Sequence, residues 1–575
     1  MPSVPFASAN RLRSLTRAGN VYLTVQDAVA LALENNLDVE VARYSPLLAE
    51  WAVERADAGG LLRGVTSGNS QVGNVASGQG VAGSQRSAGV SVGGGGTATE
   101  TGNASVSQIG PVTANLDPVL RDTTVFSHTT TPLSNVVQSQ TNSLVDSSRI
   151  YNTSLQQGFL TGASAQLSYR DSFLKESTPL DVLNPSSAPR IELSLSQNFL
   201  QGFGAGVNGR FIRVAQRHVA ISREAFRAQI GDAITIVLNL YWDLSTAAGD
   251  LEVKRRNLDV AQRFYEDTSK QIQVGTVARI ELVRAQLDAA ARQKELLAAQ
   301  MLVDQRENVL KDVLSRQGTE DPLLADAHII PLDRVQVPAT DDLPPVADLL
   351  RQAIARRPDI AVARMGVESA EISASGTKNG LLPTLEGFVN LQNNGLAGAA
   401  NPQGGIGPNP YFVGGLSTAL GQVFRHNFPN NNGGAFLSAY LKNRVAQADY
   451  GIDQLQLRQT QLTNQKSLNQ LSADLSSQIL SLRQARARYR AATEAQSLQE
   501  QLLDGEQRKL TLGDSTIYAV VQARRDLATA QSNLLSAEAA YIKNRVALDQ
   551  ALGRTLEVNH ISITSNSGTG HVIAN

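Results

Sequence analysis

The sequence repeats itself in two halves, and this tandem duplication restricts the fold more than any other feature. The segment LDVEVAR at residues 37–43 recurs as PDIAVAR at residues 358–364, an offset of 321 residues. Each copy follows an apolar stretch with the period of an α-helix, at 25–35 in the first half and 346–356 in the second. The pattern predicts two copies of one helical unit.

Two further repeats continue the duplication toward the C-terminus. RVAQ at 213–216 recurs at 444–447, an offset of 231, and Val274-Gly275 recurs as Leu512-Gly513, an offset of 238. The two offsets differ by 7 residues, one heptad, which a coiled helix absorbs without rotating its buried face. The halves therefore cover roughly residues 1–320 and 340–560.

Both halves contain helical runs that are too long for a compact bundle. No proline occurs from Arg190 to Asp321, nor after Pro429. Helices in ordinary bundles have about 8–20 residues, whereas a helix over 213–273 extends about 90 Å at 1.5 Å per residue. The chain is therefore predicted to form very long paired helices.

A sustained 3-4 spacing of apolar residues follows the presumed turn in each half. In the first half it comprises Leu282, Ala285, Ala289, Arg292, Leu296, Ala299, Val303, Arg306, Leu310 and Val313. The same positions plus 238 are Val520, Ala523, Leu527, Ala530, Leu534, Ala537, Tyr541, Asn544, Leu548 and Ala551. The pattern is that of a coiled-coil seam, and its many alanines permit close helix approach.

Strict alternation of apolar and polar residues predicts strands between the short and the long helices of each half. It occurs at 163–170, at 191–196 and at 435–441, where Phe436 weakens the contrast. One apolar and one polar face suits a half-buried strand of any sheet. It suits equally a transmembrane barrel strand with lipid on one side and water on the other.

The order of these patterns gives the predicted domain organisation. A disordered N-terminus is predicted at 1–22, a linker at 321–345 and a disordered tail at 559–575. The first repeat covers 23–320, with a flexible Gly-rich loop at 59–110, strands within 111–200 and a long helix pair at 207–316. The second repeat covers 346–558, with strands within 384–441 and a helix pair at 442–552. A phosphate-binding role for the Gly-rich loop is disfavoured because no Gly-Lys-Ser/Thr follows it.

No catalytic, metal or cofactor residue is assigned. The six histidines form no His-x-x-His or His-Glu-x-x-His motif, Gly-x-Ser-x-Gly is absent, and the chain has no cysteine. The 51 basic and 52 acidic residues disfavour nucleic-acid binding, which normally needs a basic face. The sequence contains no run of about 18 apolar residues, so no transmembrane helix is predicted.

Taken in order, these motifs resemble the TolC family of outer-membrane efflux proteins. The resemblance covers about residues 23–558 except the Gly-rich loop. The motifs that carry it are LTVQDA at 23–28, PDI at 358–360, GLLPTL at 380–385, QNFLQGFG at 197–204, LKNR at 441–444, and the two Gly turns with their following Ala285-Gln286 and Ala523.

The resemblance implies a mostly helical protein with a β component that works as a homotrimer. Each protomer would contribute four main strands to one twelve-stranded outer-membrane barrel, and its long helices would form a periplasmic tunnel. The implied function is a passive exit duct of a tripartite efflux or type I secretion system in the outer membrane of a Gram-negative bacterium. The implied partners are a periplasmic adaptor, an inner-membrane transporter and outer-membrane lipid, with no enzyme activity and no nucleic acid.

The resemblance also assigns roles to two sets of residues. The helix tips that dock the adaptor are Val274, Gly275, Thr276, Leu512, Gly513 and Asp514. Of the acidic positions that narrow the family's aperture, Glu281 is retained, whereas the second half has Ala519 and Gln522. We therefore expect an aperture that is less cation-selective, constricted by Glu281 and by packing.

Two expectations concern the termini and an alternative class. The first 20 residues carry Arg11, Arg13 and Arg17 without a following apolar segment, so they do not form a signal peptide, and we expect one to be encoded upstream. The alternative is a flagellin-like filament or scaffold protein, which also combines long terminal helices with few aromatics. The tandem duplication disfavours it.

Overall fold

The computed structural model describes residues 10–60, 62, 115–134, 140–274, 278–403, 407–564 and 571–574. It divides into two compact units. The first contains residues 1–47, 221–362 and 464–575; the second contains residues 48–220 and 363–463.

Helices dominate the chain. Their bounds are α1 Asn10–Leu15, α2 Val25–Asn35, α3 Leu37–Asp57, α4 Ala205–Asn208, α5 Arg210–Gln273, α6 Arg279–Leu314, α7 Val346–Arg356, α8 Pro358–Asn379, α9 Leu416–Phe424, α10 Arg444–Leu512, α11 Ile517–Ala551 and α12 Thr555–Val558. Helices α2 and α7 match the predicted repeat residue for residue. The long pairs α5–α6 and α10–α11 lie within the predicted 207–316 and 442–552.

The strands lie where the alternation predicted them, and several more are present. Their bounds are β1 Thr16–Arg17, β2 Asn20–Leu23, β3 Val119–Pro132, β4 Ser143–Gly158, β5 Ala163–Glu176, β6 Leu183–Ser187, β7 Arg190–Asn198, β8 His328–Pro331, β9 Thr384–Asn394, β10 Ala397–Ala400, β11 Phe428–Ser438, β12 Ile561–Thr564 and β13 His571–Ala574. Ala439 and Leu441, predicted as strand, follow the end of β11.

The first unit contains two hydrophobic clusters, and the first of them also includes Val546 and Ile561 from the second half of the chain. The first cluster packs α2 and the middle of α5 against the end of α6 and β2, around Ile230, Leu244 and Leu310. The second packs α7 against α10 and α11, around Leu475 and Tyr541. Burial of these side chains stabilises each repeat by removing apolar surface from water.

The two predicted seams on α6 and α11 are buried or half-buried along their length. Ala285 is fully buried and its repeat partner Ala523 is 3% exposed, and Leu310 and its partner Leu548 are fully buried. The 238-residue offset therefore relates positions of equal burial. The coiled-coil seams predicted from the sequence are confirmed.

The second unit is built on an antiparallel sheet. Its long strands follow the order β3-β4-β5-β7-β9-β11, and the short β6 and β10 pair beyond the end of β7. The family resemblance implied four main strands per protomer, within 111–200 and 384–441, without specifying which segments of the first repeat form them; β5, β7, β9 and β11 all lie in these ranges. The β3–β4 hairpin adds two more, because its Thr- and Ser-rich residues form strands without the strict alternation that the sequence argument required.

Two predictions of disorder are wrong where the structure describes the residues. Within 1–22, residues 10–17 form α1 and β1, and Leu12 is fully buried in the first cluster. Within 559–575, β12 and β13 pair as a hairpin. A few apolar side chains in a neighbouring core, or backbone hydrogen bonds to a neighbouring strand, are enough to order such segments. The composition of a segment does not show whether it makes these contacts. Most of the Gly-rich loop, at 61 and 63–110, lies outside the described residues.

Candidate functional site

The turn between α10 and α11 is closed by local hydrogen bonds. Gly513 has φ +85°, the left-handed region that favours glycine, and its N–H donates to the Leu510 carbonyl at 3.1 Å. The Asp514 N–H donates to the Lys509 carbonyl at 2.9 Å. Leu512 is 84% exposed. The glycine thus ends one helix, leaving an apolar side chain at the tip in water.

Side chains on both sides of this turn fix its entry into α11. Thr516 is the N-cap, and its hydroxyl accepts from the Ala519 N–H at 3.3 Å. Ser515 donates to Glu506 Oε2 at 2.6 Å, and Lys509 Nζ lies 2.9 Å from Glu506 Oε1. The Ser515 hydrogen bond, followed by Lys509, holds the pKa of Glu506 below its usual value.

The corresponding tip of the first repeat is described in part. Helix α5 ends at Gln273, and Val274 is 80% exposed. Gly275 and Thr276 lie outside the described residues, and α6 begins at Arg279. The two tips share an exposed apolar residue immediately before the glycine.

Glu281 lies in the first turn of α6 beside a basic residue that the sequence argument did not include. Arg284 Nη1 lies 2.7 Å from Glu281 Oε1. The Arg284 guanidinium also lies 5.6 Å from the centre of the Tyr518 ring in the first turn of α11. The structure therefore brings Glu281 to the α11 terminus, with an arginine between them. The i,i+3 spacing of Glu281 and Arg284 was a signal available in the sequence.

The other two aperture candidates, Ala519 and Gln522, have uncharged side chains. Ala519 takes part only through its backbone N–H at the Thr516 cap, and Gln522 Nε2 donates to Asp526 Oδ1 at 3.0 Å. Asp526 is the carboxylate one turn beyond Gln522. The arrangement supplies one arginine-paired carboxylate in α6 and one amide-bonded carboxylate in α11.

A group of charged side chains lies about two to four turns into the helix pair. Arg292 is nearly buried at a seam position and bonds Glu295 at 2.9 Å and Asp288 at 3.5 Å. Arg524 of α11 stacks on Phe264 at 4.3 Å, and burial lowers its pKa while Asp288 opposes that shift. A polar residue inside an otherwise apolar seam was the sequence signal for this group.

The sheet of the second unit has faces of opposite chemistry. Direct cross-strand pairing aligns one leucine from each of five strands, Leu120, Leu155, Leu167, Leu193 and Leu391. On the adjacent positions, which point to the other face, polar residues align as Gln156, Gln166, Ser194, Asn390 and Asn432. The apolar face is uncovered, since Leu120 is 70% exposed and Leu167 is 48% exposed.

One group of side chains in the first unit has the donor types of a metal site. Ligand atoms of Asp304, Glu307 and His328 lie within 4.8 Å of one another. Glu307 is already bonded, to His328 Nδ1 at 3.2 Å, and Lys311 Nζ lies 4.0 Å away. No sequence motif indicated this group, because His328 lies on β8, 21 residues from Glu307. The contacts tie β8 to α6.

Comparison with known proteins identifies the family. The profile described as Outer membrane efflux protein matches residues 184–316 and 349–554, more than half of the chain. The chain belongs to this family. The match begins after β3, β4 and β5 and omits the linker.

Curated relatives and solved structures agree with this assignment. The chain is 25% identical over 355 residues to outer membrane protein TolC of Escherichia coli, and 26% identical to that of Salmonella enteritidis. The first alignment covers 58% of this chain and 64% of the relative, just under two thirds of its length.

The solved structures share the fold at low identity. The Campylobacter jejuni CmeC outer membrane channel aligns at TM-score 0.56 and 14% identity over 96% of this chain and 93% of that chain. VceC of Vibrio cholerae aligns at TM-score 0.55 and 15% identity over 92% and 96%. This likeness confirms the mostly helical fold with a sheet component.

Family membership decides the broad class. The chain belongs to a family of outer membrane efflux proteins, and this membership does not favour the filament alternative. None of the helices among the described residues is long and apolar enough to cross a membrane.

Proposed function

We propose that this efflux-family chain forms the outer membrane duct of a tripartite efflux or type I secretion system. Three copies would close a β-barrel in the outer membrane, and their long helices would line a passage through the periplasm. The cargo would move passively, driven by an inner-membrane transporter that reaches the duct through a periplasmic adaptor.

The uncovered leucine row is the observation that carries this proposal. A row of leucines directly paired across five strands, with a polar row beside it on the opposite face, would be unfavourable in water if the leucines stayed exposed. In a membrane barrel, lipid would cover the apolar face and water in the lumen would solvate the polar face.

Aromatic side chains border the apolar rows, as expected at membrane interfaces. Phe159 and Phe199 lie near the first residues of β5 and β9. The Phe159 N–H donates to the Ala163 carbonyl, and the Phe199 N–H donates to the Leu385 carbonyl. Tyr151 and Tyr169 follow the leucines toward the other end. Rings at both edges of an apolar band are typical of outer membrane barrels.

Assembly into a trimer follows from the need to remove strand edges. A sheet in lipid must close on itself, because unpaired backbone groups cost several kcal/mol each in hydrocarbon. The long strands of one chain are too few to enclose a wide aqueous pore. Pairing edges between copies closes the wall, and a homotrimer is the arrangement that the family resemblance implies.

The helix tips are proposed as the adaptor-docking surface. Val274 and Leu512 are exposed apolar residues, each followed by a glycine that leaves room for a partner's backbone. Gly275, Thr276, Gly513 and Asp514 complete the predicted docking residues, and Glu281, Ala519 and Gln522 the predicted aperture.

Two adjacent substitutions in β5 test the membrane barrel. Leu167→Arg places a charge on the apolar face, where lipid does not solvate it and the membrane-inserted sheet is destabilised. Gln166→Arg places the same charge on the polar face and is the matched control. We expect Leu167→Arg to abolish detergent-extracted, heat-modifiable oligomer from outer membranes, while Gln166→Arg assembles. Equal assembly of both variants would contradict the proposal.

A further inference from the structure

The outer edge of β5 is already paired within the chain. Strand β4 pairs antiparallel with β5 from Asp146–Glu176 to Gly158–Ser164, without a register break. The opposite edge of β5 pairs with β7. A neighbouring copy therefore cannot add a strand to β5 unless β4 leaves it.

The unpaired edges of the long strands belong to β3 and β11. Among the strands that the structure describes, β3 pairs only with β4, and β11 pairs only with β9. Both are also the most exposed strands of the sheet: every residue of β3 after Val119 is exposed, as are the first eight residues of β11. A long free edge exposed in this way is a ready template for another strand.

From these edges we infer that six strands of each chain enter the barrel, so that β3 of one copy pairs with β11 of the next. Three copies of six strands then close a wall of eighteen. The inference rests on the proposed trimeric channel and specifies how its protomers join. The family resemblance had implied twelve strands, four per protomer.

The strand directions permit this closure. Each neighbouring pair in the order β3-β4-β5-β7-β9-β11 is antiparallel. With an even number of strands, β3 and β11 run in opposite directions. The β3 strand of a second copy therefore meets β11 as an antiparallel partner, which keeps the alternation of the whole barrel.

The side chains of the hairpin continue the faces of the wall. Leu120 and Leu155 extend the leucine row onto β3 and β4. Asp122, the next residue on that face of β3, accepts a hydrogen bond from Thr153 and lies in the row of Tyr169. That row is the aromatic border, where a charge costs little compared with the bilayer midplane.

A wider pore follows from the added strands. Barrel diameter grows roughly linearly with strand number, so eighteen strands give a barrel about 1.5 times as wide as twelve. Barrels of 16–18 strands leave an open aqueous channel. The hairpin thus adapts the exit to bulkier cargo than a twelve-stranded wall admits.

Engineered cysteines test which strands join the copies, because the natural chain has none. Asn432→Cys on β11 is combined in turn with one cysteine on β3, scanning the polar face to cover the closing register: Arg121→Cys, Thr123→Cys, Val125→Cys and Ser127→Cys. The matched set combines Asn432→Cys with cysteines on the polar face of β5: Gln166→Cys, Ser168→Cys and Arg170→Cys. Outer membranes are oxidised and run on non-reducing gels, with each single-cysteine variant as a control.

We expect disulfide-linked trimers from at least one β3 combination and from none of the β5 combinations. Linked trimers from the β5 set would overturn the six-strand wall and leave the trimeric channel intact. A native trimer linked by neither set would also overturn it. A monomer stable without detergent would instead refute the proposed channel itself. Electron microscopy of the natural trimer gives an independent count, eighteen strands against twelve.

Discussion

Arg284 Nη1 lies 2.7 Å from Glu281 Oε1 at the start of α6, so the one acidic residue among the three proposed aperture positions is paired with a positive charge. The same guanidinium faces Tyr518 of α11. The second half offers no carboxylate at Ala519 or Gln522. In the proposed aperture, one partly neutralised carboxylate would take the place of an acidic ring.

Selectivity of the aperture should depend on both members of this pair. Glu281→Ala removes the carboxylate and should lower the cation-to-anion permeability ratio. Arg284→Ala leaves the carboxylate without its counter-charge and should raise that ratio. Reversal potentials in planar bilayers under a salt gradient measure both changes, with Glu320→Gln, beyond the end of α6, as the control. Strong cation selectivity that Glu281→Ala does not alter would refute the aperture role.

Replacing the tip glycine should destabilise the turn. Gly513→Ala places a Cβ in the left-handed region, which costs about 1–2 kcal/mol although no atom lies within 4 Å of that Cβ. Gly505→Ala, in the interior of α10, should stabilise by about 1 kcal/mol, because alanine is the better helix former. Thermal unfolding at fixed protomer concentration compares the two. Stabilisation by Gly513→Ala would show that the turn is not held at a positive φ.

The sequence predicted the helices well because their signals are local and periodic. The α2 and α7 bounds and the α6 and α11 seams follow from apolar spacing that repeats in both halves. The β3–β4 hairpin could not be predicted in this way, because its strands lack strict alternation and are defined by their pairing with each other and with β5. Leu12 and Val21 show the same limit at the N-terminus, where two buried apolar side chains belong to a segment of unremarkable composition.

The candidate site could be predicted only in part, because some of its contacts join segments that are distant in the sequence. The residues at the tips and Glu281 came from motifs, and the Gly513 turn has the expected positive φ. Arg524 was missed because its partner, Phe264, lies in another helix. Arg284 could have been found from its i,i+3 spacing to Glu281, but its contact with Tyr518 could not. A contact between distant segments leaves no periodic trace in one sequence.

Tyr541 should make the stability of the second repeat sensitive to alkaline pH. Its hydroxyl donates to Asp341 Oδ1 at 2.7 Å, and burial, followed by this hydrogen bond, raises its pKa. The folded protein therefore holds the hydroxyl proton more tightly than the unfolded chain does. Stability is complete below the ordinary tyrosine pKa of about 10 and falls as pH rises from there through the raised value.

Tyr541→Phe should reduce stability near neutral pH and flatten this alkaline decline. The expected loss is about 1.5 kcal/mol, for a hydrogen bond to a charged group, and Asp341 keeps its ion pair with Arg486. Tyr518→Phe, at an exposed position, is the control. Unfolding midpoints measured from pH 7 to 11 give both the loss of stability near neutral pH and the steepness of the alkaline decline. An alkaline decline that is unchanged in Tyr541→Phe would assign it to another group, such as Tyr241.

The equivalence of the two seams predicts equal responses to overpacking. Ala285 and Ala523 are related by the 238-residue offset, and both are almost completely buried where helices approach closely. Ala285→Leu and Ala523→Leu each insert three carbon atoms into a packed seam, which should cost about 1–3 kcal/mol. Ala290→Leu adds the same volume at an exposed position of α6 and should change stability by less than about 0.5 kcal/mol. Thermal unfolding of the three variants at one protomer concentration decides the matter. A loss at Ala290 as large as that at Ala285 would mean that the buried face of α6 is not the one defined by the repeat.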